Sequence, residues 1–350
     1  MNLDQRLQRL WYGPAWRSLP LWPLALLFRT LVALKTLLYR LGLLRVTRLD
    51  VPVLVVGNIT VGGTGKTPVA AWLARQLGRR GRRVGIVLRG HGGAHRGRPR
   101  VVHVGDDARE TGDEALLHAQ RGVHVVVIGA DRVAAAQQAV THGAEVIVCD
   151  DGLQHLRLGR DVEIAVVDGA RGLGNGCMLP AGPLREPSGR LESVHAVVVT
   201  LHGAVAGASG AIPSLRNPLV LEARLQMSQC VNVLTGERRD LDSFRTRTSL
   251  HAVAGIGHPA AFFTGLRDAG LQFIAHELPD HAALEPNALP FGPDATVLMT
   301  EKDAVKCHSY GQPDWWWVDL DVQVEREAAA MLLTSLLERT GLTGAGVRLG

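Results

Sequence analysis

Short apolar runs recur along the chain at residues 51–56, 84–88, 123–128, 146–149, 164–167 and 197–201, with helix-like or polar stretches between them. Runs of this length rich in Val and Ile suit strands covered on both faces. Their alternation with helical segments predicts an α/β fold, a doubly wound and mostly parallel sheet with ligands at the carboxyl ends of its strands. From residue 203 to 218 the composition shifts to Gly, Ala, Ser and Pro, which reads as a linker. A second, smaller α/β set follows: strands at 250–254, 272–276 and 295–300, a short one at 315–318, a helix beginning at Pro259 and a final helix at 325–339. The boundaries expected are an N-terminal segment 1–48, a core 49–205, a linker region 206–245 and a C-terminal subdomain 246–350. No repeat or low-complexity tract interrupts this organisation.

The segment ahead of the core has a different pattern. Residues 19–44 are apolar over a length that could span a bilayer, yet they carry Arg29, Lys35 and Arg40. At 100° per residue Arg29, Thr36 and Arg40 share one stripe, while Leu26, Leu27, Leu31, Leu34, Leu37, Leu38 and Leu41 cover the opposite side. That layout favours a helix lying in a membrane surface over a core-packing helix or a true span, because buried charges make spanning costly. Trp11, Tyr12, Trp16 and Trp22 suit a headgroup region. No small-residue cleavage site follows, which argues against a cleaved signal peptide.

Between the run at 51–56 and the helix-like stretch at 69–77 lies Gly57-Asn58-Ile59-Thr60-Val61-Gly62-Gly63-Thr64-Gly65-Lys66-Thr67-Pro68. Small residues between strand and helix let backbone N–H groups turn toward phosphate oxygens, and the helix N-terminus adds partial positive charge. Lys66 reaches the terminal phosphates and the Thr67 hydroxyl suits Mg²⁺. The loop residues expected around the nucleotide are Asn58, Thr60, Gly62, Gly63, Thr64, Gly65, Lys66 and Thr67. Thr60 stands where the G-x-x-x-x-G-K-[ST] pattern begins with glycine, and Pro68 occupies a first-turn position with no intrahelical bond to lose. A nucleoside triphosphate is the first ligand to expect.

Three further clusters bear chemistry. The run at 146–149 ends in Asp150-Asp151, where a phosphate-loop protein places an acid that holds Mg²⁺ or its water shell; a turn acid capping the next segment is the plainer alternative. Gln154 and His155 follow in the same loop and face the same crevice. Asp113 and Glu114 either begin a helix as cap and first-turn acid, or Asp113 accepts a proton from an alcohol. His258, between Gly257 and Pro259, caps a helix or tunes such an acid. Only four of 38 basic residues are lysine, Lys35, Lys66, Lys302 and Lys306, so the pair in 300–306 suggests a need for an ammonium's shape there.

Charge and cysteines narrow the classes. The net charge of +5 is confined to residues 1–50, which carry eight basic residues against Asp4 and Asp50, and leaves the rest at −1. That argues against nucleic acid and for an acidic partner at the N-terminus. Cys149, Cys177, Cys230 and Cys307 lie far apart with no C-x-x-C pair, which suits a reducing compartment and suggests neither zinc nor disulfides.

In order along the chain, Asn58 through Pro68, Arg89-Gly90, Gly112-Asp113-Glu114, Gly129-Ala130-Asp131-Arg132, Asp150-Asp151-Gly152-Leu153-Gln154-His155, residues 179–187, Gly257-His258-Pro259 and Thr300-Glu301-Lys302-Asp303 resemble the tetraacyldisaccharide 4′-kinases of lipid A synthesis. The resemblance implies ATP and Mg²⁺, and transfer of the γ-phosphoryl to the 4′-hydroxyl of a tetraacylated glucosamine disaccharide 1-phosphate. It implies Asp113 as base adjusted by His258, Lys66 and Thr67 on the phosphates, and Thr67, Glu114, Asp150 and Asp151 around the metal. Arg89, Arg132, Gln154, His155, Asn175 and Arg185 are implied at the acceptor. The expected setting is the cytoplasmic face of a bacterial inner membrane, peripheral or monotopic, with no obligate protein partner. Two departures stand out: His91 replaces an aromatic, and Asp280-His281-Ala282 lacks a second histidine. Rival readings are a membrane-surface P-loop ATPase acting as a switch, whose signature second lysine would fall at Val61, and a kinase for a soluble metabolite. A GTP switch is disfavoured, because Lys302 and Asp303 are adjacent rather than separated by one residue.

Overall fold

A computed structural model describes residues 3–202, 212–247, 249–257, 259–279, 291–292, 295–307 and 311–342. The strands are β1 Val53–Gly57, β2 Val84–Leu88, β3 Arg100–Val102, β4 Val125–Ile128, β5 Val146–Asp150, β6 Val162–Asp168, β7 Ala196–His202, β8 Leu219–Asn232, β9 Arg238–Asp240, β10 Leu250–Ala254, β11 Ile274–Glu277, β12 Thr296–Thr300 and β13 Trp315–Val324. They form one sheet in the order β11-β10-β12-β13-β8-β7-β6-β1-β5-β2-β4-β3, with β9 paired to β8. Every pairing from β8 to β4 and from β11 to β13 is parallel. Strands β3 and β9 pair antiparallel at the margins. The two parallel sets meet at the antiparallel β8–β13 pair.

Alternation along β1 shows why the central strands read as unbroken apolar runs. Leu54 and Val56 belong to the core on one face of the sheet, and Val53 and Val55 to the core on the other. Both faces are covered, so no position can be polar without cost. The helices are α1 Leu3–Trp11, α2 Trp22–Arg40, α3 Lys66–Gly78, α4 Ala108–Thr111, α5 Asp113–Gln120, α6 Arg132–Thr141, α7 Pro259–Asp268, α8 Glu301–Cys307 and α9 Arg326–Thr340.

Three expectations need correction. Residues 219–232, inside the span read as linker, form the long strand β8, and β13 runs for ten residues, not four. In the part of β8 that was missed one face is covered: Leu221, Ala223 and Leu225 are buried while Glu222, Arg224 and Gln226 are exposed. Polar residues at every second position broke up the apolar signal, although period two is what such a strand requires. Trp11 is not a headgroup anchor. Trp11 is buried and donates from Nε1 to the Pro180 carbonyl at 2.9 Å, and the Arg171 guanidinium lies 5.7 Å from the Tyr12 ring centroid.

Helix α2 has no buried residue. Phe28 and Val32 touch the core, while Leu24, Leu27, Leu31 and Leu34 are each at least half exposed. Contiguous apolar exposure of this kind marks a surface that contacts something apolar.

Candidate active site

The loop after β1 is shaped by two glycines. Gly62 (φ 103°) and Gly65 (φ 77°) adopt left-handed backbone, and a Cβ on Gly65 would stand 3.0 Å from Thr200 Cγ2 and 3.1 Å from Leu225 Cδ1. Thr60 needs no such freedom: its backbone bridges antiparallel to Leu184, so a side chain is tolerated where the motif expects glycine. Neighbouring elements brace the loop. Thr200 Oγ1 donates to the Thr64 carbonyl at 2.9 Å, and Arg171, anchored on Asp168 at 2.9 Å, donates to the Gly63 carbonyl. Asn58 acts from inside, its amide donating to the Gly62 carbonyl at 3.3 Å. The outcome is a braced loop between strand and helix, the arrangement whose backbone N–H groups can receive an oxyanion.

Lys66 opens α3 with Nζ 4.0 Å from Asp151 Oδ2. Asp151 has φ 56°, a left-handed conformation rare outside glycine, and pairs also with Arg185 at 3.5 Å. Asp150, at the end of β5, is fully buried. Burial opposes its ionisation, but the bond and charge of His118, the Lys66 ammonium and the Thr67 hydroxyl outweigh it and hold the carboxyl below its usual range. His118 Nε2 donates to Asp150 Oδ2 at 3.1 Å. Asp150 Oδ1 has no hydrogen-bond partner among the described residues. An ionised, orphaned carboxylate oxygen beside a hydroxyl is the donor set Mg²⁺ takes when phosphates and waters complete its shell, so these residues fit the ion.

Across the cleft, α5 carries Glu114, which lines it, and Asp113, which is buried just behind that wall and is not among the lining residues. Gly112 precedes them at φ 85°, where a Cβ would meet the His91 carbonyl at 2.5 Å. Asp113 is 3 % exposed, and its Oδ1 accepts from the Glu114 N–H at 3.0 Å. Its Oδ2 faces Lys302 Nζ and Lys306 Nζ, each at 3.8 Å, and Lys302 reaches Glu114 at 3.7 Å. Sequence reasoning picked out these lysines by their rarity as a place that needs an ammonium, and the structure supplies the partners. His258 and Asp280-His281-Ala282 lie outside the described residues.

A third wall is cationic. Arg89, Arg132, Arg185, His155 and Lys35 line the same cleft of about 810 Å³ as Lys66 and Glu114. Lys35, from exposed helix α2, donates to the Gln154 carbonyl at 3.0 Å. The Gln154 amide is spent on the Asn58 carbonyl at 3.0 Å and Glu186 at 2.7 Å, so it braces the loop. Asn175 is not among the lining residues. It ties its own loop together through Ala181 and Cys177, and its backbone N–H donates to the Trp11 carbonyl.

Burial, with Arg132, Lys35 and Arg89 nearby, depresses the His155 imidazole to about 4, against a smaller opposing pull from Asp151. The unfolded chain takes up a proton below ~6.5 that the folded chain refuses, so this site costs stability as pH falls from there toward 4. An NMR titration is expected to place the His155 midpoint near 4. Lys35→Ala should raise that midpoint and Asp151→Asn lower it; no movement in Lys35→Ala would remove the helix from the electrostatics of the site.

A phosphate loop after the first strand, a buried acid ending a neighbouring strand and a carboxylate on the facing wall define a P-loop nucleotide-dependent phosphotransferase. The comparisons with known proteins carry this further. The sequence model of the Tetraacyldisaccharide-1-P 4'-kinase family matches residues 17–338, and the chain belongs to that family. It is 45% identical to the Tetraacyldisaccharide 4'-kinase of Alkalilimnicola ehrlichii, across 94% of this chain and 96% of that one. It is 43% identical to the protein of that name from Pseudomonas putida strain W619, across 92% and 93%. The crystal structure of "apo" form LpxK from Aquifex aeolicus in complex with ATP matches with a TM-score of 0.78 at 27% identity, covering 92% of this chain and 99% of that one.

Proposed function

We propose that this protein phosphorylates a lipid-linked sugar: it transfers the γ-phosphoryl of ATP to the 4′-hydroxyl of a tetraacylated glucosamine disaccharide 1-phosphate, giving lipid IVA in lipid A synthesis. Family membership supports the reaction. The observation that carries the reading within the molecule is that one cleft is lined both by Lys66 and Thr67 of the phosphate loop and by Lys35 of the exposed apolar helix. A sugar can enter that cleft while its acyl chains stay with the helix and the membrane.

In this reading the loop N–H groups and Lys66 hold the β- and γ-phosphates, and Asp113 orients the acceptor hydroxyl and takes its proton late in transfer. Thr67 and Asp150 would hold the metal, with Asp151 and Glu114 as further carboxylates serving it, and Mg²⁺ there would neutralise charge on the transferred group. Arg89, Arg132, Arg185 and His155 form the wall for the anionic sugar. In the same reading the enzyme works at the cytoplasmic face of the inner membrane as a peripheral or monotopic protein, a setting supported by the exposed apolar helix α2 and the positive charge of residues 1–50.

The test uses γ-labelled Mg·ATP with tetraacyldisaccharide 1-phosphate in mixed micelles, beside the deacylated disaccharide phosphate. Label in the acylated product alone is expected. Hydrolysis with unlabelled lipid would favour the switch reading, and equal labelling of both acceptors would favour a soluble substrate. On vesicles, Leu27→Gln/Leu31→Gln/Leu34→Gln is expected to move the protein from the sedimented to the soluble fraction. Retained binding would sink the role given to the helix.

A further inference from the structure

The charge cluster between α5 and α8 is larger than a surface ion pair and is built from both halves of the sheet. Asp303 is fully buried. Its Oδ2 accepts from the Gly255 N–H at 2.9 Å, past the end of β10, and from Thr300 Oγ1 at 2.6 Å, at the end of β12. Its Oδ1 accepts from Lys306 Nζ at 2.9 Å, one turn along α8. A Cβ on Gly255 would stand 3.0 Å from that same Oδ1, so the backbone approaches the carboxylate closely. Asp303 is therefore clamped at both oxygens, and it fixes where the Lys306 ammonium sits.

That ammonium lies 3.8 Å from Asp113 Oδ2 on the other side, with its side chain 10% exposed. Exposed pairs of this length contribute little. Here the groups are desolvated, and a buried carboxylate deprived of its cation is strongly destabilised. Asp113 is oriented from two sides: the Glu114 N–H engages Oδ1, and the ammonium groups face Oδ2. A compact ammonium fits between two carboxylates where a planar guanidinium would not, which accounts for lysine in a chain that otherwise uses arginine.

We propose that Lys306, clamped by Asp303, is a positioning residue for Asp113, so that the base on α5 reaches its working orientation only when α8 is docked against it. The inference rests on Asp113 acting as the base in the reaction above. Neither Lys306 nor Asp113 is among the residues lining the cleft, whereas Lys302 and Glu114 are, so Lys306 acts through Asp113 behind that wall.

The experiment is a double-mutant cycle read as kcat and KM for ATP in the micellar assay, with Lys306→Met, Asp113→Asn and the pair together. Lys306→Met is expected to lower kcat by about 10²-fold, within the range for a misplaced general base, and to leave KM for ATP within about twofold. The double variant should be no slower than Asp113→Asn alone, because residues acting as one unit do not add. A merely structural lysine would instead slow both backgrounds by the same factor. Addition of ethylammonium to Lys306→Ala should restore part of the lost kcat. If Lys306→Met does not fold, by thermal unfolding, the same cycle is run with Asp303→Asn, which keeps the side-chain shape and removes the clamp's charge. Turnover within about threefold of wild type, or losses that multiply in the double variant, overturns the proposal. Absence of labelled lipid from the wild-type enzyme would be the distinct failure of the kinase reading, and the inference would fall with it.

Discussion

Asp113→Asn is expected to lower kcat for lipid phosphorylation by about 10²- to 10⁴-fold, the range for loss of a general base. The substitution is close to isosteric, and the amide oxygen can still accept from the Glu114 N–H that Asp113 Oδ1 now binds at 3.0 Å. The start of α5 therefore survives. What changes is the other oxygen. An NH₂ in place of Oδ2 cannot accept a proton and presents donors to two ammonium groups that now stand 3.8 Å away. KM for ATP should move little, since the phosphate loop lies on the opposite wall of the cleft. The measurement is single-turnover label transfer, with thermal unfolding as the folding control. Near-wild-type turnover would take the proton-accepting role away from Asp113.

Lys66→Ala is expected to cost about 10²- to 10³-fold in transfer, the scale for removing one preorganised group that stabilises transition-state charge. It should also weaken ATP binding. Lys66 is the first residue of α3, its side chain is 13% exposed, and it stands 4.0 Å from Asp151. Its ammonium also favours the ionised form of buried Asp150. Removing it strips compensation from two adjacent carboxylates in the pocket that must receive a polyanion. Lys66→Arg should recover little, because a guanidinium is a wide planar fork and the cradle is closed by Thr200 and Arg171. Equilibrium binding of a fluorescent ATP analogue separates the two effects. An alanine variant that binds ATP as wild type and still phosphorylates lipid would contradict the assignment of the loop.

Much of the site was legible before any coordinates because its signals are local. A phosphate loop needs small residues, a lysine and a hydroxyl within a few positions of a strand end, and Gly62 through Thr67 follow β1 directly. Asp150 and Asp151 close β5 in the same way. The exposed apolar helix was legible because Leu27, Leu31 and Leu34 keep helical spacing in a segment with its own charge balance. Other features hid because their partners are distant. Residue 175 carries a side chain suited to a substrate contact, yet its amide is consumed by Ala181 and Cys177. Trp11 looked amphipathic in isolation and is buried against Pro180, 169 residues away.

By itself, then, the sequence determined the covered parallel strands, the glycine-rich loop between strand and helix, the acids that close β5 and an exposed apolar helix. Periodicity and short motifs encode these within a few residues of each other. Only the tertiary structure decided that β8 and β13 pair to make a single sheet, and that Lys302 and Lys306 face Asp113 across nearly 200 residues of chain. It also decided that Lys35 reaches from the helix into the cleft. Such meetings depend on strand order and on which face each helix covers, and a one-dimensional pattern holds no record of either.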